Sequence, residues 1–107
     1  MIYKFKSKAT GDLIMLEPNG RRMLEIIGKD PAPAGIIQPA QMPAAVLALE
    51  AAIAREEADR KAAVDEARGT GHVLPTFPDV SLRQRAVPFL DMLRRGSQAQ
   101  TDIVWGA

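Results

Sequence analysis

Four prolines fall between positions 31 and 43, within KDPAPAGIIQPAQMP (29–43). Each lacks a backbone donor and biases the residue before it away from helix. The middle of the chain is therefore expected to be an extended, stiff connector that separates whatever folds on either side of it. Ile36 and Ile37 are its bulky apolar residues and are expected to plug it into a core. Gly28-Lys29 at its start lacks the GxxxxGK[ST] spacing of a phosphate loop and is given no such role.

Beyond the connector, from Pro39 or Pro43, the pattern predicts a long helix to Arg68. Met42, Val46, Leu49 and Ile53 make one apolar stripe at helical spacing. Past Ile53 the stripe gives way: REEADRKAAVDEAR (55–68) has nine charged residues in fourteen. This half is expected to stand as a charged helical arm, supported by i,i+4 pairs such as Glu56–Arg60. GTGHVLPTFPDV (69–80) follows as a loop, marked by its glycines and prolines.

SLRQRAVPFLDMLRRG (81–96) carries four arginines. On a helical projection Leu82, Ala86, Phe89, Leu90 and Leu93 share an arc of about 100°, the width of a core-facing stripe. Arg83 and Arg94 lie on one flank, Arg85 on the other, and Arg95 at the back. A groove-reading or membrane-surface helix needs its basic residues on one face. Here they surround the helix, which reads as a core helix with a basic exterior. Ser81 and Gln84 have the spacing of a capping box, and Gly96 is expected just past the last turn.

The N-terminal IYKFKSK alternates, with Tyr3, Phe5 and Ser7 on one face and Ile2, Lys4, Lys6 and Lys8 on the other. Near the other end, Ile103 and Trp105 share one face of a short strand and Val104 takes the opposite one. Residues 10–27 admit two readings. Leu13, Leu16, Gly20, Met23, Leu24 and Ile27 fall on one helical arc, which favours a single helix kinked at Pro18. The rival is a strand over Asp12–Leu16 followed by a helix opening at Pro18, a position where proline is tolerated. The kinked helix is preferred, because the apolar arc runs through the proline in phase.

These elements make an α+β domain spanning 1–107: three helices packed on a small sheet formed by the N- and C-terminal strands. Tyr3, Phe5 and Trp105 are expected to pack against Leu16, Leu24, Leu49, Phe89, Leu90 and Leu93. A sheet of two strands is marginal in water, so the expectation is that it is completed across a homodimer. Tyr3, Ile14 and Trp105 are the candidate dimer contacts. Ile14, Met15, Ile26 and Leu47 fall outside their helices' core arcs and leave apolar surface to cover.

The chain has no cysteine and one histidine, which removes disulfides, thiolate metal sites and a cysteine nucleophile. Fourteen basic and thirteen acidic side chains leave a net charge of +1, against the broad positive field of non-specific nucleic-acid binding through Lys4, Lys6, Lys8 and the arginines. No catalytic or cofactor motif is present, and no cofactor or metal is expected. The one enzymatic or anion-binding version places His72, Asp79, Arg83 and Arg85 at a single mouth. The favoured reading is a non-catalytic cytoplasmic protein acting through self-association or a protein partner, away from membranes.

Across MIYKFKSKA, GKDPAPAGIIQPAQMPAA, SLRQRAVPFLDMLRR and the closing VWG, the sequence resembles a family of short, uncharacterised bacterial proteins, mainly proteobacterial, known as a domain of unknown function. The resemblance spans nearly the whole chain and is weakest over the charged arm and the GTGH stretch. It implies a bacterial cytosolic protein complete at this length. It carries no activity, cofactor or site residue onto any position.

Overall fold

Alternation builds the sheet in the computed structural model, which describes residues 2–71 and 80–106. β1 (Ile2–Ser7) turns Tyr3 and Phe5 inward and leaves Ile2, Lys4 and Lys6 outside. It pairs antiparallel with β2 (Leu13–Leu16) on one side and with β4 (Ile103–Trp105) on the other. β3 (Gly35–Ile37) pairs antiparallel with β4, so the strand order is β2-β1-β4-β3. The terminal strands pair as expected, with Phe5 opposite Trp105.

Two expectations are corrected here. Residues 13–16 are a strand, and α1 (Glu17–Ile26) begins directly after it with Pro18 in its first turn. Proline is harmless there because the first amides of a helix have no partner within it. The single kinked helix would have spent about 3 kcal/mol on an interior proline. The strand also inverts the inside and outside of this segment: Met15 is buried, while Leu16, expected in the core, is 64% exposed.

The connector supplies the fourth strand, so one chain already builds a four-stranded sheet. Within β3 adjacent residues must face opposite ways. Ile37 is fully buried and Ile36 lies on the outer face, so only one of the two plugs the core. The rest of the connector is pinned by the aromatic residues beneath it. Tyr3 Oη donates to the Pro31 carbonyl at 2.8 Å, and Trp105 Nε1 donates to the Ala32 carbonyl at 2.9 Å.

A 3-10 turn (Pro39–Gln41) leads into α2 (Met42–Thr70), whose 29 residues form the long axis of a molecule 51 Å in extent. α3 (Leu82–Ala99) opens on the capping box that its sequence announces: Gln84 N–H donates to Ser81 Oγ, and Ser81 N–H to Gln84 Oε1. It continues beyond Gly96, which is buried against Met42 of α2, and ends at Gln100 in the left-handed conformation (φ 55°). Glycine serves there as a close-packing residue and not as the helix stop.

All three helices lie on the inner face of the sheet. Phe5 is the centre of the core, with its ring centroid 4.9 Å from Phe89, 5.9 Å from Trp105 and 6.1 Å from Tyr3. Met23, Leu24, Met42, Leu49 and Leu93 fill the space around it.

Candidate interaction surface

The sheet's outer face carries the side chains that the inner packing rejects. Seven strand residues point outward: Ile2, Lys4, Lys6, Ile14, Leu16, Ile36 and Val104. Five of these seven are apolar. An antiparallel sheet with one face on a core ordinarily alternates to polar residues on the other. Here Ile2, Ile14 and Leu16 are each more than half exposed, and the register places Ile2 directly opposite Leu16. Ile36 and Val104 form a second apolar pair across β3 and β4. Lys4 lies between the two groups and pairs with Asp12 at 3.5 Å.

The candidate dimer contacts divide accordingly. Ile14 is 57% exposed, in the middle of this face. Tyr3 and Trp105 are each 2% exposed on the opposite face, inside their own chain's core. Neither presents surface to another molecule while the domain keeps this fold. The period-two pattern of β1 had already grouped Ile2 with the outward lysines. Leu16 and Ile36 were hidden by the helical reading of one segment and the connector reading of the other.

The arginines separate as well. Arg83 faces α2 and grips Glu57 with two hydrogen bonds, Nε to Oε2 at 2.9 Å and Nη2 to Oε1 at 2.7 Å. That bidentate contact holds the Glu57 carboxyl below its ordinary range and raises the Arg83 guanidinium. Arg94 pairs with Glu50, and Arg95 with Asp91. Arg85 leaves the helix on its other flank and lines a groove beside β2. Arg83 and Arg85 therefore do not converge on one mouth. His72 and Asp79 lie outside the described residues.

Glu56 joins three helices from the segment expected to project as an arm. Its Oε1 accepts the Leu82 N–H, the first amide of α3, at 3.0 Å. Its carboxylate also pairs with Arg22 of α1 and Arg60 of α2, both at 3.2 Å. The hydrogen bond from Leu82, helped by the two guanidinium groups and opposed by desolvation, holds this carboxyl below its ordinary range. These charges tie helices together, and Arg22, Glu56 and Arg60 also line an open groove of about 510 Å³ with Arg55 and Asp59.

A family model described as a domain of unknown function (DUF1840) matches residues 1–105. The chain belongs to the DUF1840 family. That match spans the sheet, all three helices and both groups of outward apolar residues, so the surface described above is built entirely from DUF1840 sequence. No curated protein and no solved structure matches the chain. Among the described residues of this DUF1840 domain no three metal-ligating side chains gather, and no helix is long and apolar enough to cross a membrane.

Proposed function

We propose that this protein is a non-catalytic, self-associating module whose copies meet through the outer face of the sheet. The observation that carries this reading is the five apolar residues among seven outward strand positions. Two exposed apolar groups on one sheet face mark an interaction surface on an otherwise ordinary domain.

A second copy fits this face better than a strongly charged partner. The net charge of +1 offers little long-range repulsion between copies. The face also carries both signs, with Lys4 paired to Asp12 at 3.5 Å, so part of its positive charge is neutralised within one chain. Isologous contact is the commonest oligomeric arrangement. The face is small: four strands at about 4.8 Å spacing and six residues at about 3.4 Å give roughly 19 by 20 Å. Such an area belongs to the weak, concentration-dependent class of interface. The cysteine-free composition suits a reducing, cytoplasmic setting for this exchange.

Absolute mass by light scattering behind a sizing column, across about a hundredfold dilution, tests the reading. A mass that moves from two chains toward one supports it. A one-chain mass at every concentration overturns it.

A further inference from the structure

The two edges of the sheet are guarded unequally. β3 is three residues long, with Pro33 two positions before it and Pro39 two positions after it. Prolines and short length are the usual protection against unwanted pairing at a sheet edge. β2 is also short and has Pro18 two positions after it, but no proline precedes it. Its four residues, LIML, include no proline and no charge, and no described strand pairs with its outer side. An edge of this kind presents backbone donors and acceptors to any extended chain that reaches it.

Beside that edge runs a groove of about 340 Å³. β2 forms one wall; Val80, Gln84, Arg85 and Pro88 form the other. Leu13 and the exposed Val80 and Pro88 make its lining mostly apolar. Gln84 is already used, since its Oε1 accepts the Ser81 N–H of the capping box. Arg85 is different from its neighbours on α3. Arg83, Arg94 and Arg95 each hold a carboxylate, whereas Arg85 is half-buried and pairs with no described residue. Among the described residues the groove thus combines an unpaired strand edge, an apolar floor and a guanidinium without a carboxylate partner.

We infer that the groove between β2 and α3 binds an extended peptide, which adds a strand to β2 and sets a carboxylate against Arg85. Main-chain hydrogen bonds along β2 supply sequence-independent affinity, and alternate side chains enter the groove. Arg85 then adds a charge-assisted bond that fixes the peptide's register. A second copy of this domain is a poor occupant. Its own β2 is four residues long and turns directly into α1, and among the described residues no extended run is left free to lie in the groove. This inference rests on the edge of β2 and stands apart from self-association through the outer face.

The test is a titration of the isotopically labelled full chain, followed through its backbone amides. Two synthetic peptides of alternating threonine and valine are used, about six residues long as strands commonly are. One ends in a free carboxylate and the other in an amide. The carboxylate peptide is expected to shift the Leu13–Leu16 amides, and the amidated peptide to bind about tenfold more weakly. Arg85→Gln, a change on an accessible flank of α3, is expected to abolish the difference while leaving amides remote from the groove unmoved. Absence of shifts at Leu13–Leu16 with either peptide overturns the inference. Equal affinity of the two peptides for the wild-type chain also overturns it. Both peptides are titrated at one fixed protein concentration, because self-association through Ile14 and Leu16 would itself move β2 amides.

Discussion

The indole of Trp105 occupies the space where a side chain at position 35 would stand. A Cβ added to Gly35 comes 2.2 Å from Trp105 Cζ2 and 2.5 Å from Cη2, and the two residues are register partners across β3 and β4. The ring has little room to retreat: its Nε1 is tied to Ala32 and it meets the Phe5 ring in a T-shaped contact. Gly35→Ala is expected to destabilise the domain by about 1–3 kcal/mol, the usual cost of overpacking a filled core. Denaturant unfolding followed by the emission of this single tryptophan measures the change. An unaltered midpoint would show that the indole yields freely.

Tyr3 offers a finer probe of the connector. Its ring packs against Phe5, and its hydroxyl alone reaches across to Pro31. Tyr3→Phe keeps the ring and deletes the bond, leaving the Pro31 carbonyl without that donor. A loss of about 1 kcal/mol is expected. Faster amide exchange at Gly35–Ile37 should accompany it, because the bond holds the approach to β3. Tyr3→Phe with wild-type stability and exchange would leave the connector anchored by Trp105 alone.

These two aromatics show why the sequence was legible in part. The terminal strands, α2, and the cap and core stripe of α3 follow from periodicities that lie within single segments. Leu82, Ala86, Phe89, Leu90 and Leu93 are all buried, as their arc requires. Met92, just outside that arc, is buried too, as part of the same core cluster. What escaped is settled by partners distant in sequence. Leu13–Leu16 fits a helical arc by accident of spacing, and β1 decides that it is a strand. Gly35–Ile37 is too short to show alternation, and only β4 makes it one. The outer apolar face emerged only once those two strands were in place. Arg83 and Arg85 were grouped by proximity in sequence, although two positions along a helix turn side chains to nearly opposite sides.

Glu56 and Glu57 give the domain an acid-sensitive joint. Both carboxyls are held below their ordinary value of 4.5 by partners that exist only in the fold. A depressed folded-state value means that the unfolded chain takes up protons first as pH falls. The stabilisation is therefore complete above pH 4.5 and is lost as pH drops through the folded values beneath it. Urea midpoints measured from neutral pH downward are expected to fall in that window. Glu56→Gln, which retains an acceptor for the Leu82 amide, should flatten the acid slope. Glu56→Ala also removes that acceptor from the start of α3 and is expected to cost about 1 kcal/mol at neutral pH. Equal acid slopes for wild type and Glu56→Gln would assign the sensitivity elsewhere.

Two exposed leucines separate the surfaces available for self-association. Leu16 stands on the outer face of the sheet at 64% exposure, and Leu47 on α2 at 68%. Leucine to lysine at either place leaves the core untouched, so both variants are expected to unfold within about 0.5 kcal/mol of wild type. Their effects on association should differ. Leu16→Lys adds a charge beside Ile2 and Ile14 and near Lys4, so apposed copies would meet an additional uncompensated lysine. It is expected to weaken the dimer at least about tenfold, equivalent to roughly 1.4 kcal/mol. Leu47→Lys should leave the dimer unchanged, since Leu47 lies on the helical side and not on the sheet. Sedimentation equilibrium of the two variants beside wild type reads the difference directly. Loss of dimer with Leu47→Lys and its retention with Leu16→Lys would move the self-associating surface from the sheet to α2.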